Sequence, residues 1–250
     1  MDISKRLKTI ASFADKPVIA DIGCDHALVC IEAVLNGKVK KAYACDLRKG
    51  PLEQAKANIA AQGLDGQIEV RLQDGIKGLP DDTCQIIISG MGGKLIEQIL
   101  SESPLPQAAE SLLLSAHKDV EDLRRFLLEK GWPIEQEHTV FDQRFYTIIQ
   151  ASLPDHPDHS GQPGNPQTNS ENLDEPKEKG LDDKESLLLG FHPAANQTYL
   201  DYLDHLEMKW LKIRAQMPDH AANLMDEKIQ LVRSRRTRLY PGKESSRMES

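Results

Sequence analysis

Four short segments bring reactive residue types to the same kind of place, the end of an apolar run that meets a tight turn. In Ala20-Asp21-Ile22-Gly23-Cys24-Asp25-His26-Ala27, two carboxylates and a histidine surround a glycine. A carboxylate near a helix N-terminus is kept ionised by the helix dipole. This turn is not a dinucleotide-binding G-x-G-x-x-G, because Asp25 and Ala27 hold the glycine-like positions. Asp46 ends Ala42-Tyr43-Ala44-Cys45-Asp46, with Leu47 next to it. A carboxylate there can accept both ribose hydroxyls of an adenosine-containing cofactor. Gln73-Asp74-Gly75 offers an acceptor for an adenine amino group. In Ser89-Gly90-Met91-Gly92-Gly93 the glycines let backbone approach a ligand closely, and Met91 supplies soft apolar surface for a flat ring. Each segment also has a plainer reading: Asp25 as a helix N-cap, His26 as a structural histidine, Asp46 as a solvated turn residue, Met91 as core. The order and spacing of all four favour one shared pocket.

The elements that must position these residues alternate. Strands are predicted at Pro17–Gly23, Lys41–Leu47, Ile68–Gln73, Gln85–Ser89 and Leu112–Ser115. Helices are predicted at Ala27–Asn36, Gly50–Gln62, Gly92–Ser101 and Val120–Lys130, with Pro51 in a first turn and Gly37, Gly63 and Gly131 as stops. Strands separated by helical patterns of this length form βαβ units on a parallel sheet. Ile134–Phe141 and Phe145–Ala151 are joined by three residues only, so they must pair antiparallel. The expected architecture is α/β, a doubly wound sheet closed by an antiparallel hairpin. In such a sheet ligands bind at the carboxyl ends of the strands, where all four segments lie.

The chain of 250 residues carries a formal net charge of −8, and its acidity is concentrated. Residues 151–186 hold nine acids against three bases, are rich in Pro, Asn and Gly, and contain almost no large apolar side chain. That composition predicts a flexible acidic linker over 152–186, within which Asp155-His156-Pro157-Asp158-His159 resembles a metal site only by composition. The linker divides the chain into 1–151 and 187–250. After it the period changes: Tyr199, Leu203, Leu206, Trp210, Ile213 and Met217 form one coiled-coil seam, and Ala222, Met225, Ile229, Val232 and Leu239 another, with Arg236 at an a-type position. Pro218 breaks the two apart and Asp219 is available as an N-cap, which gives an antiparallel helical hairpin. Cys24, Cys30, Cys45 and Cys84 show no CxxC spacing and are expected to be inert thiols in a reducing cytoplasm, with no metal. The short apolar stretches and the amphipathic N-terminus predict neither a membrane span nor a signal peptide.

Several motifs together resemble the bacterial tRNA (adenine-N1)-methyltransferase family TrmK, whose members are class I, Rossmann-like enzymes. They are Ser4-Lys5-Arg6-Leu7, Ala20-Asp21-Ile22-Gly23 followed by Asp25-His26-Ala27, Gly50-Pro51, Ser89-Gly90-Met91-Gly92-Gly93, and Phe145-Tyr146. The similarity covers residues 3–151, and the family's C-terminal coiled-coil hairpin resembles 193–239. The family usually has Ser where Cys24 stands, Tyr-Leu-Pro where Leu28-Val29-Cys30 stand, and Gln-Pro-Asn where Ser115-Ala116-His117 stand.

The resemblance implies S-adenosylmethionine as cofactor, held by Asp21, Gly23, Cys24, Asp46, Leu47, Asp74, Gly75, Ser89 and Gly90. It implies tRNA as partner, with N1 of adenine 22 in the D-arm as target. Asp25, His26 and Met91 are then the residues expected at the target base. Phosphate contacts are expected from Lys5, Arg6 and Lys8, or from the basic run Lys228, Arg233, Arg235, Arg236, Arg238 and Lys243. Two other readings stay open: a methyltransferase for another RNA position or a small molecule, and a non-catalytic S-adenosylmethionine-binding module whose hairpin is a partner surface.

Overall fold

The computed structural model describes residues 3–153 and 179–242. Most of the expected linker (154–178), the Asp155–His159 run and Lys243 lie outside the described residues. Elements in chain order are α1 (Lys5–Ser12), β1 (Val18–Ile22), α2 (Leu28–Leu35), β2 (Lys41–Asp46), α3 (Lys49–Ala61), β3 (Ile68–Leu72), β4 (Gln85–Met91), α4 (Gly93–Ser101), β5 (Ser111–Ala116), α5 (Val120–Glu129), β6 (Ile134–Asp142) and β7 (Arg144–Ser152). Three α-helices follow among the described residues: α6 (Lys179–Leu189), α7 (Gln197–Arg214) and α8 (Asn223–Leu239).

The seven strands form one sheet in the order β3-β2-β1-β4-β5-β7-β6. β1 through β5 are parallel, and β7 runs antiparallel to both β5 and β6. The turn between β6 and β7 is tighter than the spacing predicted: only Gln143 separates them, at φ 63°. Alternate strand residues feed two cores. Ile19, Ile87 and Leu113 pack under α1, α2 and α3, and Ile86, Ile88, Leu112 and Leu114 pack under α4 and α5. Because helices cover both faces, Ile86, Ile87 and Ile88 are all fully buried, which is why that strand reads as a continuous apolar run. Order reverses between β1 and β4, with strands added outward on each side. That switch point is where a cleft opens.

The C-terminal unit has its own core, built by Tyr199, Leu203, Leu206 and Trp210 of α7 against Ile229 and Val232 of α8. Four expectations change here. Residues 179–186, read as linker, belong to α6, whose Glu185 is buried. The first seam frays at its end, where Ile213 is exposed. Asp219 is not an N-cap: a 3-10 turn at Asp219–Ala221 intervenes, Ala222 precedes α8 without a side-chain cap, and Asp219 pairs instead with Arg214 at 3.1 Å.

The fourth change concerns the basic run, of which Arg235 and Arg236 are taken up internally while Arg233 and Arg238 stay exposed in ion pairs. Arg235 is buried and ion-paired with Glu185, and its Nη1 donates to the Gly190 carbonyl at 3.0 Å. Arg238 also reaches Glu185 (2.5 Å), Arg233 pairs with Glu207 (2.6 Å), and Arg236 pairs with Asp204 (3.1 Å). Arg235 is therefore a tie between α6 and α8 and not a phosphate contact. Truncating Arg235 to Ala is expected to cost about 3–5 kcal/mol of stability, because Glu185 is left buried without its main partner. Thermal unfolding checks this: a melting temperature equal to that of the parent contradicts the structural role.

Candidate functional site

At the carboxyl ends of β1, β2, β3 and β4 lies a cleft of about 710 Å³. It gathers every residue assigned above to the cofactor or the base: Asp21, Gly23, Cys24, Asp25, His26, Asp46, Leu47, Asp74, Gly75, Ser89, Gly90 and Met91 all line it. Residues given no role above join them, among them Leu7, Arg48, Leu95, Gln98, Ile99 and Glu102, together with His117 of the departing Ser115-Ala116-His117 segment. Arg6, expected on a phosphate-binding helix face, also lines the cleft, whereas Lys5 and Lys8 stay exposed on α1.

The β1–α2 turn is built under backbone strain. Gly23 (φ 74°), Asp25 (φ 49°) and Ala27 (φ 58°) are all left-handed. Gly23 needs to be glycine for a second reason: a Cβ there would meet the Met91 methyl at 2.3 Å. Left-handed non-glycine residues cost of order 1–3 kcal/mol each and cluster at functional sites. The N-cap reading of Asp25 fails, since Ala27 precedes α2 and no side chain caps it. Asp25 instead stands exposed in the cleft, with its carboxylate 3.7 Å from His26 Nε2 and 3.8 Å from Arg48 Nη2. His26 is exposed too, while its carbonyl accepts from Asn58 Nδ2 at 3.0 Å, which ties the turn to α3.

Asp21 lies deeper. It is buried, and its carboxylate forms no hydrogen bond or ion pair among the described residues. Burial first, and the neighbouring Asp46 charge second, push its pKa up to about 7 against a pull downward from Arg6. A buried, unpartnered carboxylate facing a cleft is an acceptor site waiting for a cation. Asp46 is also buried; its Oδ1 accepts the Arg48 backbone N–H at 2.8 Å, which leaves Oδ2 for a ligand. Asp74 is exposed at the end of β3, and the Gln73 amide donates to the Gly75 carbonyl at 2.9 Å, fixing that turn. Cys24 and Cys45 are buried with thiol pKa values raised by burial, so neither is a nucleophile; Cys84 is only half-buried.

The fourth strand end differs from a simple glycine-rich turn. β4 continues to Met91 through an irregularity at Gly90 (φ 79°), and Met91 pairs with Ala116. Gly93 must lack a side chain, because a Cβ would lie 2.3 Å from the Asp119 carbonyl oxygen of the β5–α5 loop. That loop is held by the Gly93 N–H donating to the Lys118 carbonyl (2.9 Å) and the His117 N–H donating to the Met91 carbonyl (2.8 Å). Met91 is half-buried at the cleft wall, apolar and adaptable.

A cleft that sets a buried acidic residue beside a strained acidic turn, at the switch point of a 3-2-1-4-5-7-6 sheet, suits an adenosine ligand with a cationic end. A family model described as a methyltransferase domain matches residues 3–149. The tRNA (adenine(22)-N(1))-methyltransferase of Bacillus subtilis (strain 168) is 33% identical over 159 residues, 62% of this chain and 67% of that one. The chain belongs to the TrmK family of methyltransferases. Solved structures agree over nearly the whole length. M. capricolum TrmK, in complex with S-adenosyl-homocysteine, is similar with a TM-score of 0.68 and 26% identity, covering 93% of this chain and 97% of that one. Streptococcus pneumoniae Sp1610, in complex with S-adenosyl-L-methionine, gives 0.72 and 26%, covering 93% and 99%. The helical C-terminal unit is thus part of the shared fold and not an addition to it.

Proposed function

We propose that this chain is an S-adenosylmethionine-dependent methyltransferase that methylates N1 of adenine 22 in the D-arm of tRNA, working in the cytoplasm. The observation that carries the reading is the pairing, in one cleft, of a buried unpartnered carboxylate (Asp21) with an exposed strained one (Asp25). A cationic cofactor suits the first, and a base that becomes cationic suits the second. S-adenosylmethionine, when bound, supplies the electrophilic methyl group. Asp21 suits its positively charged amino-acid end, Asp46 Oδ2 its ribose, and Leu47, Asp74 and Gly75 its adenine, with Gly23, Cys24, Ser89 and Gly90 forming the backbone cradle.

On the substrate side, adenine N1 attacks with its lone pair, so no base has to remove a proton first. Positive charge grows on the ring as the N1–C bond forms. Asp25 supplies negative potential at that point, or accepts from the exocyclic N6 amino group. His26 orients the base, and Met91 packs against its face. Splaying adenine out of a folded tRNA costs a few kcal/mol, which the walls of the cleft must offset. The decisive experiment is methyl transfer to unmodified tRNA, with the modified nucleotide mapped by mass spectrometry. 1-Methyladenosine at position 22 is expected; a product at another position, or none, refutes the assignment.

The raised pKa of Asp21 makes cofactor binding pH-dependent. Below about pH 7 Asp21 is protonated in the free protein and must lose its proton to meet a cation, so affinity is expected to rise with pH up to about 7 and then level off. The rise should approach tenfold per pH unit on the acid side, since one pKa unit corresponds to about 1.4 kcal/mol. Fold stability runs the other way. Between the ordinary value near 3.8 and about 7 the folded state holds a proton the unfolded chain has released, so this group's contribution falls as pH rises through that window. Calorimetric titration of S-adenosylmethionine from pH 6 to 8 tests the first statement. In Asp21→Asn the pH dependence should vanish and overall affinity should drop; a parent protein whose affinity is flat across that range contradicts it.

A further inference from the structure

Beside the cleft, around the Tyr146 ring, three donor side chains meet: Arg6, Arg144 and His117. The Arg6 and Arg144 guanidinium carbons each lie 4.8 Å from the Tyr146 ring centroid. Neither guanidinium has an ion-pair partner among the described residues, and Arg6 Nη1 is buried without any hydrogen-bond partner. Arg144 Nη2 donates to His117 Nδ1 at 3.3 Å, which places the His117 proton on Nε2. The His117 ring also meets Tyr146 edge-on, with centroids 6.2 Å apart. Arg6 Nη1 and His117 Nε2 converge on one spot. A Cβ built on Gly90 would meet those two atoms alone within 4 Å, each at 3.9 Å, so both border the Gly90 backbone, whose carbonyl also draws on the His117 ring N–H. The carboxylates that influence Arg6 are Asp21, inside the cleft, and Asp142, which accepts the Arg6 backbone N–H at 3.0 Å. Neither forms an ion pair with the Arg6 guanidinium among the described residues.

An unpaired buried guanidinium nitrogen is costly unless a ligand completes it. Two guanidiniums beside a histidine donor suit a tetrahedral anion with several acceptor oxygens. We infer that Arg6, Arg144 and His117, assembled around Tyr146, bind a backbone phosphate of the RNA strand that carries the target base. The inference rests on the tRNA reading above and goes further: it puts the phosphate anchor at the mouth of the catalytic cleft, on the β6–β7 turn and α1. On α8, Arg235 is buried against Glu185 and Arg236 is largely buried against Asp204, whereas Arg233 and Arg238 pair with Glu207 and Glu185 while remaining exposed. A phosphate held at the cleft mouth would fix the nucleotide beside the base that has to turn inward. It would also share an edge with the Gly90–Met91 wall, which His117 already holds through its backbone N–H.

The test compares the parent with Arg144→Gln, Arg144→Lys and Arg6→Gln, each measured for tRNA affinity across a potassium chloride series, for S-adenosylmethionine affinity by calorimetry, and for methyl transfer. Arg144 is exposed at the first position of β7, so its variants should fold, and retained S-adenosylmethionine binding verifies that they do. Arg144→Gln is expected to weaken tRNA binding about tenfold at low salt and to flatten the log–log salt slope by about one, the signature of one lost phosphate contact. Arg144→Lys should restore most of the slope, because charge returns without the fork geometry. An unchanged slope in Arg144→Gln overturns the site. So does an Arg6→Gln variant that loses S-adenosylmethionine affinity while keeping the parental slope, since the anion would then be the carboxylate of the cofactor. A parent protein that binds tRNA with the full slope yet transfers no methyl would refute the enzymatic reading and leave this anchor standing.

Discussion

Asp25→Asn is expected to lower turnover about a hundredfold while leaving S-adenosylmethionine affinity within about twofold. The size follows from what the carboxylate faces. On the reading proposed above, charge appears on the adenine ring only as the new bond forms, so a fixed negative group beside it would stabilise the transition state more than the ground state. Removing one preorganised electrostatic group of this kind costs roughly 10²–10³ in rate, and the lower end fits a side chain that is exposed in the free protein. Asparagine is the informative replacement because it tolerates the left-handed φ of 49° and keeps the shape of the side chain. A loss of rate then reports charge and not a collapsed turn. Asp25→Gly offers the complementary result: it relieves the strain and should raise stability by about 0.5–1 kcal/mol while turnover still falls. If Asp25→Asn turns over like the parent with tRNA in excess, the carboxylate has no part in the chemistry.

Much of this site could be read from the chain because its residues are local. Asp21, Gly23, Asp25 and His26 fall within six positions, and Ser89 to Gly93 within five, so a strand-then-turn pattern places each group without any knowledge of long-range contacts. The apolar triplet Ile86-Ile87-Ile88 likewise declares a strand covered on both faces. What stayed hidden depends on residues far apart in sequence. Arg6 reads as one base in an amphipathic helix; only the packing of α1 beside β6 brings it to Gly90 and His117. The run from Arg233 to Arg238 reads as a basic surface because its partners, Glu185, Asp204 and Glu207, sit about 25 to 50 positions earlier. Composition could not place α6 either. Its sequence before Leu187 is as acidic as the segment preceding it, and its fixed position depends on burying Glu185 against Arg235. Ala27 and Asp25 were legible as residues of a turn but not as left-handed ones, since alanine seldom adopts positive φ and aspartate does so only more often than most.

The same long-range logic locates a second large stability effect, at the joint between the sheet and the helical unit. Arg124 of α5 and Glu137 of β6 are both buried, and Arg124 holds Glu137 through Nε at 3.0 Å and Nη2 at 2.8 Å. Their remaining valences go to the segment that leads into α7. Arg124 Nη1 donates to the Leu187 carbonyl at 2.7 Å, and the Phe191 N–H donates to Glu137 Oε1 at 2.7 Å. Gly190, at φ 110°, lets the chain pass where a Cβ would stand 3.1 Å from the Glu137 carboxylate. Glu137→Gln removes the charge but not the volume, so Arg124 remains buried and uncompensated. Breaking a buried pair in this way costs about 3–5 kcal/mol, or roughly 10 °C in melting temperature for a chain of this size. The double variant Arg124→Met with Glu137→Met should recover most of that loss, because removing both charges removes the desolvation cost as well. Limited proteolysis separates a local from a global effect: cleavage in Glu137→Gln should appear first around 187–194, where the pair secures the chain. If the single variant melts with the parent, the pair is not what fastens the helical unit to the sheet.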